Sequence, residues 1–315
     1  MVLTKFIRRW EKVKKVDLSI IILSYNTKEL LKRCLQSLQK AKKNDYQIEV
    51  IVVDNASSDK SPEMVEKEFS QVKLIRSKKN LGYAGGNNLG LKKAQGEFIL
   101  FLNSDTEIDE KALIKMMKFM KENPRAGAST PKTMLFSGGM DPDCHRGFPT
   151  PWASITYFLG LEKLFPKSKL FGQYHQFYLN LNKSHEIDAG FGTFMFVRKK
   201  VLEAVGEWDD QYFFYGEDLD LFYRIKEAGW KIMFYSEPLA THHKGASSGL
   251  RKESKGVTRP SRQTRIRVAK ASIEAMEIFY KKFYQDKYPF WLTWVVLLGI
   301  RIKGGYRIVL HYFKR

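Results

Sequence analysis

The sequence predicts an α/β fold, with a mostly parallel central sheet and helices on both faces. Two observations carry this. Short runs rich in Ile, Val and Phe alternate with stretches whose apolar residues recur every three to four positions. The apolar runs are also unbroken, as strands covered on both faces require. LSIIILSY (18–25) reads as the first strand. Residues 27–40 follow as a helix with Leu30, Leu31, Cys34, Leu35 and Leu38 on one face. IEVIVVDN (48–55) is a second strand, after which Ser61 caps a helix that has Pro62 in its first position. VKLIRS (72–77) is a third strand, 83–95 a glycine-interrupted helix, and EFILFLNSD (97–105) a strand running into a polar turn. The aromatic and proline-rich stretch 132–186 reads as an irregular excursion that covers the site. A strand and helix return in IDAGFGTFMFVRKKVLEAV, then 213–248 gives helix, strand and loop, and a further helix lies near 268–285.

Composition narrows the function classes. At 43% hydrophobic and 14% aromatic, the 315 residues can build a large core, which excludes a disordered chain. Cys34 and Cys144 stand alone, without CxxC or Cys/His clusters, so neither a disulfide framework nor a structural zinc site is expected. The net charge of +20 is unevenly spread. Residues 1–16 hold six Lys/Arg against one Glu, and 244–315 hold seventeen against four acids, leaving the middle close to neutral. Basic ends of this kind suit nucleic acid or an anionic membrane surface.

In such sheets ligands sit at the carboxyl ends of the strands. That points to Tyr25, Asn26, Asp54, Asn55, Asn103, Ser104 and Asp105. A lone Asp after a strand is often a turn former, but two acidic strand ends facing one crevice can hold a divalent cation with positions left for substrate phosphates. LGYAGGNNLG matches neither the dinucleotide-binding nor the P-loop spacing, and its glycines allow close backbone packing. In GEDLD a helix starting at Glu217 puts Asp218, Leu221 and Ile225 on one stripe, facing inward, while Asp220 can pair with Arg224. The acids either complement the helix dipole or supply a general base at Asp218. His242 and His243 follow a strand end, solvated or metal-ligating.

Together IIILSYNTKELLKRCLQSL, VIVVDNASSD, NLGYAGGNN, FLNSDTEI, DAGFGTFMFVRK, FFYGEDLDLFYRIKEAGW and HHKGASS resemble the inverting GT-A glycosyltransferases of family 2, in the rhamnosyltransferase-like branch. The resemblance covers about 17–250. It implies a GT-A domain there, with a nucleotide-binding half (17–107) and an acceptor half (108–250), between a basic amphipathic segment (1–16) and a basic helical extension (251–315). It further implies that Tyr25, Asn26, Asp54, Asn80, Asn87 and Asn103 meet a dTDP- or UDP-sugar. Asp105 and His242 hold Mg²⁺ or Mn²⁺, Asp218 is the base, and Glu217, Gly192 and Trp208 lie on the acceptor side. The usual Asp-x-Asp signature reads Asn103-Ser104-Asp105, leaving a single carboxylate in the turn. One base and direct attack predict inversion. The expected product class is a cell-surface polysaccharide built on a glycan or lipid-linked acceptor.

The ends carry amphipathic patterns. Leu3, Phe6, Ile7, Trp10 and Val13 recur at helical spacing among basic residues, and Trp291, Trp294, Val295, Leu298 and Ile302 form a stripe flanked by Lys287, Arg301 and Lys303. FWLTWVVLLGI (290–300) is too short to span a bilayer, and no signal-peptide core precedes the first strand. The expectation is a cytoplasmic protein, peripheral on the inner face of the cell membrane. The competing readings are a basic nucleic-acid-binding protein, disfavoured by the neutral middle, and a sugar nucleotidyltransferase, disfavoured by the lack of a basic glycine loop after the first strand.

Overall fold

The computed structural model describes residues 15–244 and 262–313; the amphipathic pattern of residues 1–14 and the HHKGASS residues beyond 244 lie outside them. Strands β1 (Leu18–Ser24), β2 (Ile48–Asp54), β3 (Lys73–Arg76) and β4 (Phe98–Asn103) are linked by helices α1 (Lys28–Lys40), α2 (Ser61–Glu68) and α3 (Gly82–Leu91). β5 (Thr106–Ile108) and α4 (Ala112–Glu122) lead into the second half. There β6 (Ala126–Leu135), a 3₁₀ turn (Pro142–Cys144), α5 (Pro151–Phe158), α6 (Leu161–Leu164) and β7 (His185–Ile187) precede β8 (Phe194–Arg198). The chain continues through α7 (Lys199–Val205), α8 (Glu217–Glu227), β9 (Lys231–His242), α9 (Arg262–Phe283) and α10 (Phe290–Phe313).

The nine strands of the described residues form one sheet, ordered β3-β2-β1-β4-β8-β6-β9-β5, with β7 beside β9. The first four run parallel, and their register brings Ser24 level with Asp54 and Leu23 level with Asn103. Beyond β4 the sheet is mixed: β8 is antiparallel to both β4 and β6, while β6 and β9 are parallel. The antiparallel β8, FMFVR, is buried at every position, so its pattern is the same as that of a parallel core strand. Ile20, Ile21, Ile22, Ile51, Val52, Val53 and Phe101 are fully buried between the helical layers. Each such side chain contributes about 1.5–3 kcal/mol over its exposed state.

Two local expectations change. Ser61 lies inside α2; the cap position is Lys60, whose φ of 65° is left-handed, and Asp59 Oδ1 takes the Ser61 N–H at 3.0 Å. The apolar segment expected over 290–300 runs on as a helix to Phe313. Gly304 lets it pass close to α9, where a Cβ would strike the Ile273 side chain. α9 and α10 also pack on α8, through Tyr212, Tyr223, Phe279, Tyr280 and Tyr284 with Val296 and Leu297 against them. Lys282 ties α9 to the same region, with Nζ 2.6 Å from Asp209 and 2.7 Å from Asp220. No helix among the described residues is long and apolar enough to cross a membrane.

Candidate active site

The parallel register creates one wall of the crevice. Asp54, at the end of β2, is buried; its Oδ2 accepts from Ser57 N at 3.2 Å, while Oδ1 is buried with no hydrogen-bond partner among the described residues. A buried acceptor of this kind is costly unless something donates to it. Tyr25 stands half exposed beside it. Asn26, in the left-handed region at φ 53°, accepts the Ser58 N–H at 2.8 Å and so shapes the β1–α1 loop. Asn80 and Asn87 commit their amides to the protein itself. Asn80 Oδ1 accepts from Gly82 N and Asn55 Nδ2, and Asn87 Nδ2 donates to the Tyr83 carbonyl. Asn55 clamps the glycine loop from the other side by accepting the Leu81 N–H and donating to Gly82 O.

Asn103 and Asp105 flank the next turn. Asn103 donates to Thr193 Oγ1 at 3.3 Å, and Ser104 joins Thr27 and Ser24 in a chain of hydroxyls 3.0 Å apart. Asp105 is buried, with Oδ1 3.4 Å from His242 Nε2. On its other side His242 Nδ1 donates to Asp141 Oδ2 at 2.8 Å, and Asp141 is also bridged to Lys244. Burial works against charging the His242 ring, but the Asp105 and Asp141 carboxylates outweigh it and push its pKa up to about 9. Burial likewise opposes charge on Asp141, whose pKa is nonetheless held low by the hydrogen bond from His242 and the charge of Lys244. His243 instead turns to Glu107, at 2.7 Å. Asp105 offers one hard oxygen, and His242 offers an imidazole nitrogen only once a cation displaces its Nε2 proton; with that proton gone the pair suits Mg²⁺ or Mn²⁺ when substrate oxygens complete the shell. Among the described residues no three His, Cys, Asp or Glu side chains make a metal site by themselves.

The opposite wall is assembled from distant segments. α8 begins at Glu217 after Gly216, whose φ of 84° is left-handed. Asp218 keeps 15% of its side-chain surface, and its carboxylate is held by three donors. Arg146 Nη2 lies 2.6 Å and Gly192 N 3.3 Å from Oδ2, and Leu219 N lies 2.8 Å from Oδ1. An ionised carboxylate has about four acceptor positions, so one remains for an incoming hydroxyl. Arg146, from the excursion, is buried and also donates to the Gly190 carbonyl through Nε at 2.9 Å. Burial disfavours its charge, yet the Asp218 carboxylate raises its pKa. Glu217 is buried behind; burial, followed by the neighbouring Asp218 charge, pushes its pKa up to about 8. Asp220, expected to face outward, is fully buried between Arg224 Nε and Lys282 Nζ.

Residues 190–193 join the two walls. Gly192 N reaches Asp218, Gly192 O accepts from Tyr83 Oη at 2.8 Å, and the Thr193 carbonyl accepts from Asn103 N. A Cβ at Gly192 would lie 2.8 Å from Tyr83 Oη, so glycine is needed for this close approach. The Phe191 ring stands edge-on to His242, with centroids 6.2 Å apart. Trp208, expected on the acceptor side, is buried, edge-on to both Tyr83 and Phe101 at 5.4 and 4.9 Å. It props Tyr83 from behind, because three aromatic rings fill that corner of the core. Arg146, Asp141 and Tyr83 are not among the residues that the sequence motifs single out. A lone Arg in the aromatic stretch HRGFPTPW was the available signal, since a charge buried there needs a carboxylate.

The family model described as Glycosyl transferase family 2 matches residues 19–206. Poly(ribitol-phosphate) beta-glucosyltransferase of Bacillus spizizenii is 34% identical over 171 residues, which are 49% of this chain and 26% of that protein. N-acetylglucosaminyl-diphospho-decaprenol L-rhamnosyltransferase of Mycobacterium tuberculosis is 26% identical over 245 residues, 74% of this chain and 78% of its own. Among solved structures, the Pyrobaculum calidifontis mannosyltransferase PcManGT, in complex with GDP-Man and Mn²⁺, superposes with a TM-score of 0.57. It is 16% identical and covers 95% of this chain and 74% of its own. S. aureus TarS gives a TM-score of 0.53 at 18% identity, over 84% of this chain and 44% of its own. The chain thus spans about a quarter of the Bacillus protein and under half of TarS. The likeness to the two structures is one of fold, the GT-A architecture.

Proposed function

The chain belongs to glycosyl transferase family 2, and on that premise we propose that it moves a hexosyl group from a dTDP- or UDP-sugar to a glycan or lipid-linked saccharide. Rhamnose is the donor sugar favoured by the mycobacterial relative, whose name also gives a diphospholipid acceptor. The setting is cell-surface polysaccharide synthesis at the cytoplasmic face of the membrane. α10 lies in the lipid surface there, through the stripe of Trp291, Trp294, Val295, Leu298 and Ile302. The observation that carries the reading is the bridge of residues 190–193, which holds Asp218 on one side and Asn103 on the other.

In this reading Asp54 Oδ1 accepts a ring N–H of the base, Tyr25 lies against the base, and Asn103 sits near the ribose. Asp105 and His242 hold a divalent cation, whose chemistry when bound is neutralisation of the charge on the diphosphate. Asp218 removes the proton of the acceptor hydroxyl while Arg146 and the Gly192 N–H fix its carboxylate in place. Attack from the face opposite the diphosphate inverts the anomeric centre, by the geometry that holds for inverting glycosidases. Burial and the neighbouring Asp218 charge raise the Glu217 pKa, which lessens the negative charge beside the base.

A donor screen tests this. Thermal unfolding is followed with dTDP-, UDP- and GDP-sugars, each with and without Mn²⁺, and the protecting donor is then used to assign product configuration by NMR. Protection by a dTDP- or UDP-sugar and an inverted product are expected. Failure of every nucleotide sugar to protect, or a retained configuration, contradicts the reading.

A further inference from the structure

α5 is an amphipathic helix turned inside out. Thr150 caps it by accepting the Ala153 N–H, and its buried side is made of Pro151, Ala153 and Thr156, with no large apolar side chain. Its large side chains point outward. Trp152, Ile155 and Phe158 are 43–49% exposed, and the following Leu159 and Leu164 reach 68% and 70%. A helix facing water carries its bulk on the core side, and a large exposed apolar patch marks a surface that something covers. α10 repeats the arrangement, with Trp294 at 71% and Ile302 at 64% exposed and its other side packed on α9 and α8. The two patches adjoin, because Lys303 Nζ of α10 sits over the Phe158 ring of α5.

The charges say what covers them. Residues 150–172 hold one acid, Glu162, which is buried and taken up by His175; their other charges, Lys163, Lys167 and Lys169, are exposed. α10 contains no acid, and Glu277 of α9 is bound by Arg301. Bulky apolar groups ringed by cations, on helices too short or too polar to span, fit the headgroup layer of an anionic bilayer. We propose that α5, α6 and α10 form one lipid-facing platform, so that the excursion that carries Arg146 enters an anionic membrane together with the C-terminal helix. The inference rests on the membrane reading above and extends it to a part of the catalytic region. Its consequence is positional: Thr150, which starts α5, follows Arg146, which grips Asp218, by four residues, so the lipid surface and the base are held by one short segment.

The test is flotation of the full chain with vesicles of phosphatidylglycerol and phosphatidylcholine, or of phosphatidylcholine alone. Wild type is expected to float with the anionic vesicles and to dissociate as salt rises. Leu159→Glu/Leu164→Glu is expected to lose at least tenfold in affinity, with an unchanged thermal midpoint because both side chains are exposed. Trp291→Ser/Trp294→Ser is expected to lose affinity as well. Leu159→Gln/Leu164→Gln, which adds no charge, is expected to fall between wild type and the Glu pair. Wild-type affinity in both α5–α6 variants, with loss only in the α10 variant, overturns the platform and leaves the membrane reading standing. No flotation by wild type overturns both. A dimer in sedimentation that Leu159→Glu/Leu164→Glu dissociates, without vesicle binding, assigns the surface to a second copy and also overturns the proposal.

Discussion

The proposed donor wall of the crevice takes Tyr25, Asp54 and Asn103 from the ends of neighbouring parallel strands, whereas the proposed base wall takes its groups from segments as far apart as Arg146 and Asp218, 72 residues along the chain. On the donor wall, strand register places each residue, and a single side chain can be changed with only local loss. On the base wall the Asp218 carboxylate is placed by Arg146, Gly192 and the helix start together. The difference teaches where damage spreads: donor-wall substitutions should affect binding, and base-wall substitutions should affect chemistry and folding together.

Four substitutions sharpen or break this contrast. Asp105→Ala removes the only carboxylate of the turn and should eliminate the Mn²⁺-dependent part of nucleoside-diphosphate binding in calorimetry; an affinity that still responds to Mn²⁺ contradicts the assignment. Arg146→Met breaks a buried pair from one side, which costs about 3–5 kcal/mol. Urea unfolding should show that loss along with reduced transfer, and an unchanged midpoint would mean that the base wall does not depend on its distant partner. Asp54→Asn should weaken donor binding about 10–100-fold, the worth of a hydrogen bond to a charged group, with the midpoint nearly unchanged.

The smallest effect concerns Glu217. Its folded pKa of about 8 lies above the ordinary 4.5, so the unfolded chain releases this proton first as pH rises. Its contribution to stability is therefore full below about pH 4.5 and lost as pH climbs through 8. Glu217→Gln should flatten that decline, and it should gain on wild type between pH 5 and 9 in urea midpoints. Two curves that stay parallel over that range contradict the buried, proton-holding carboxyl.

The contrast between the walls also explains what could be read in the sequence. The strands ending at Ser24, Asp54 and Asn103 were legible because unbroken apolar runs and parallel order fix them locally. The turn to a mixed sheet at β8 was not, since a strand buried on both faces has the same pattern whichever way it runs. The Asp218 stripe was legible from helical spacing, but its pairing with Arg146 depends on where the excursion returns in space. The acceptor-side place of Trp208 is implied by the family resemblance alone, while the neighbouring rings of Tyr83 and Phe101 hold it in the core. Likewise the outward stripe of α10 follows from its period; its packed side is decided by α9 and α8.

The central claim is that Asp218 is the base and that donor binding lies on the other wall. Asp218→Asn keeps the size of the group and an oxygen for Arg146, but it cannot take a proton at neutral pH. The decisive measurement is transfer rate and donor affinity on the same preparation of this variant, after its fold has been checked by thermal unfolding. Transfer should fall by about 10²–10⁴-fold, the usual worth of a positioned base, with donor affinity nearly unchanged. Transfer close to wild type would remove Asp218 from the mechanism, and an equal loss in donor affinity would show that the two walls are not separate.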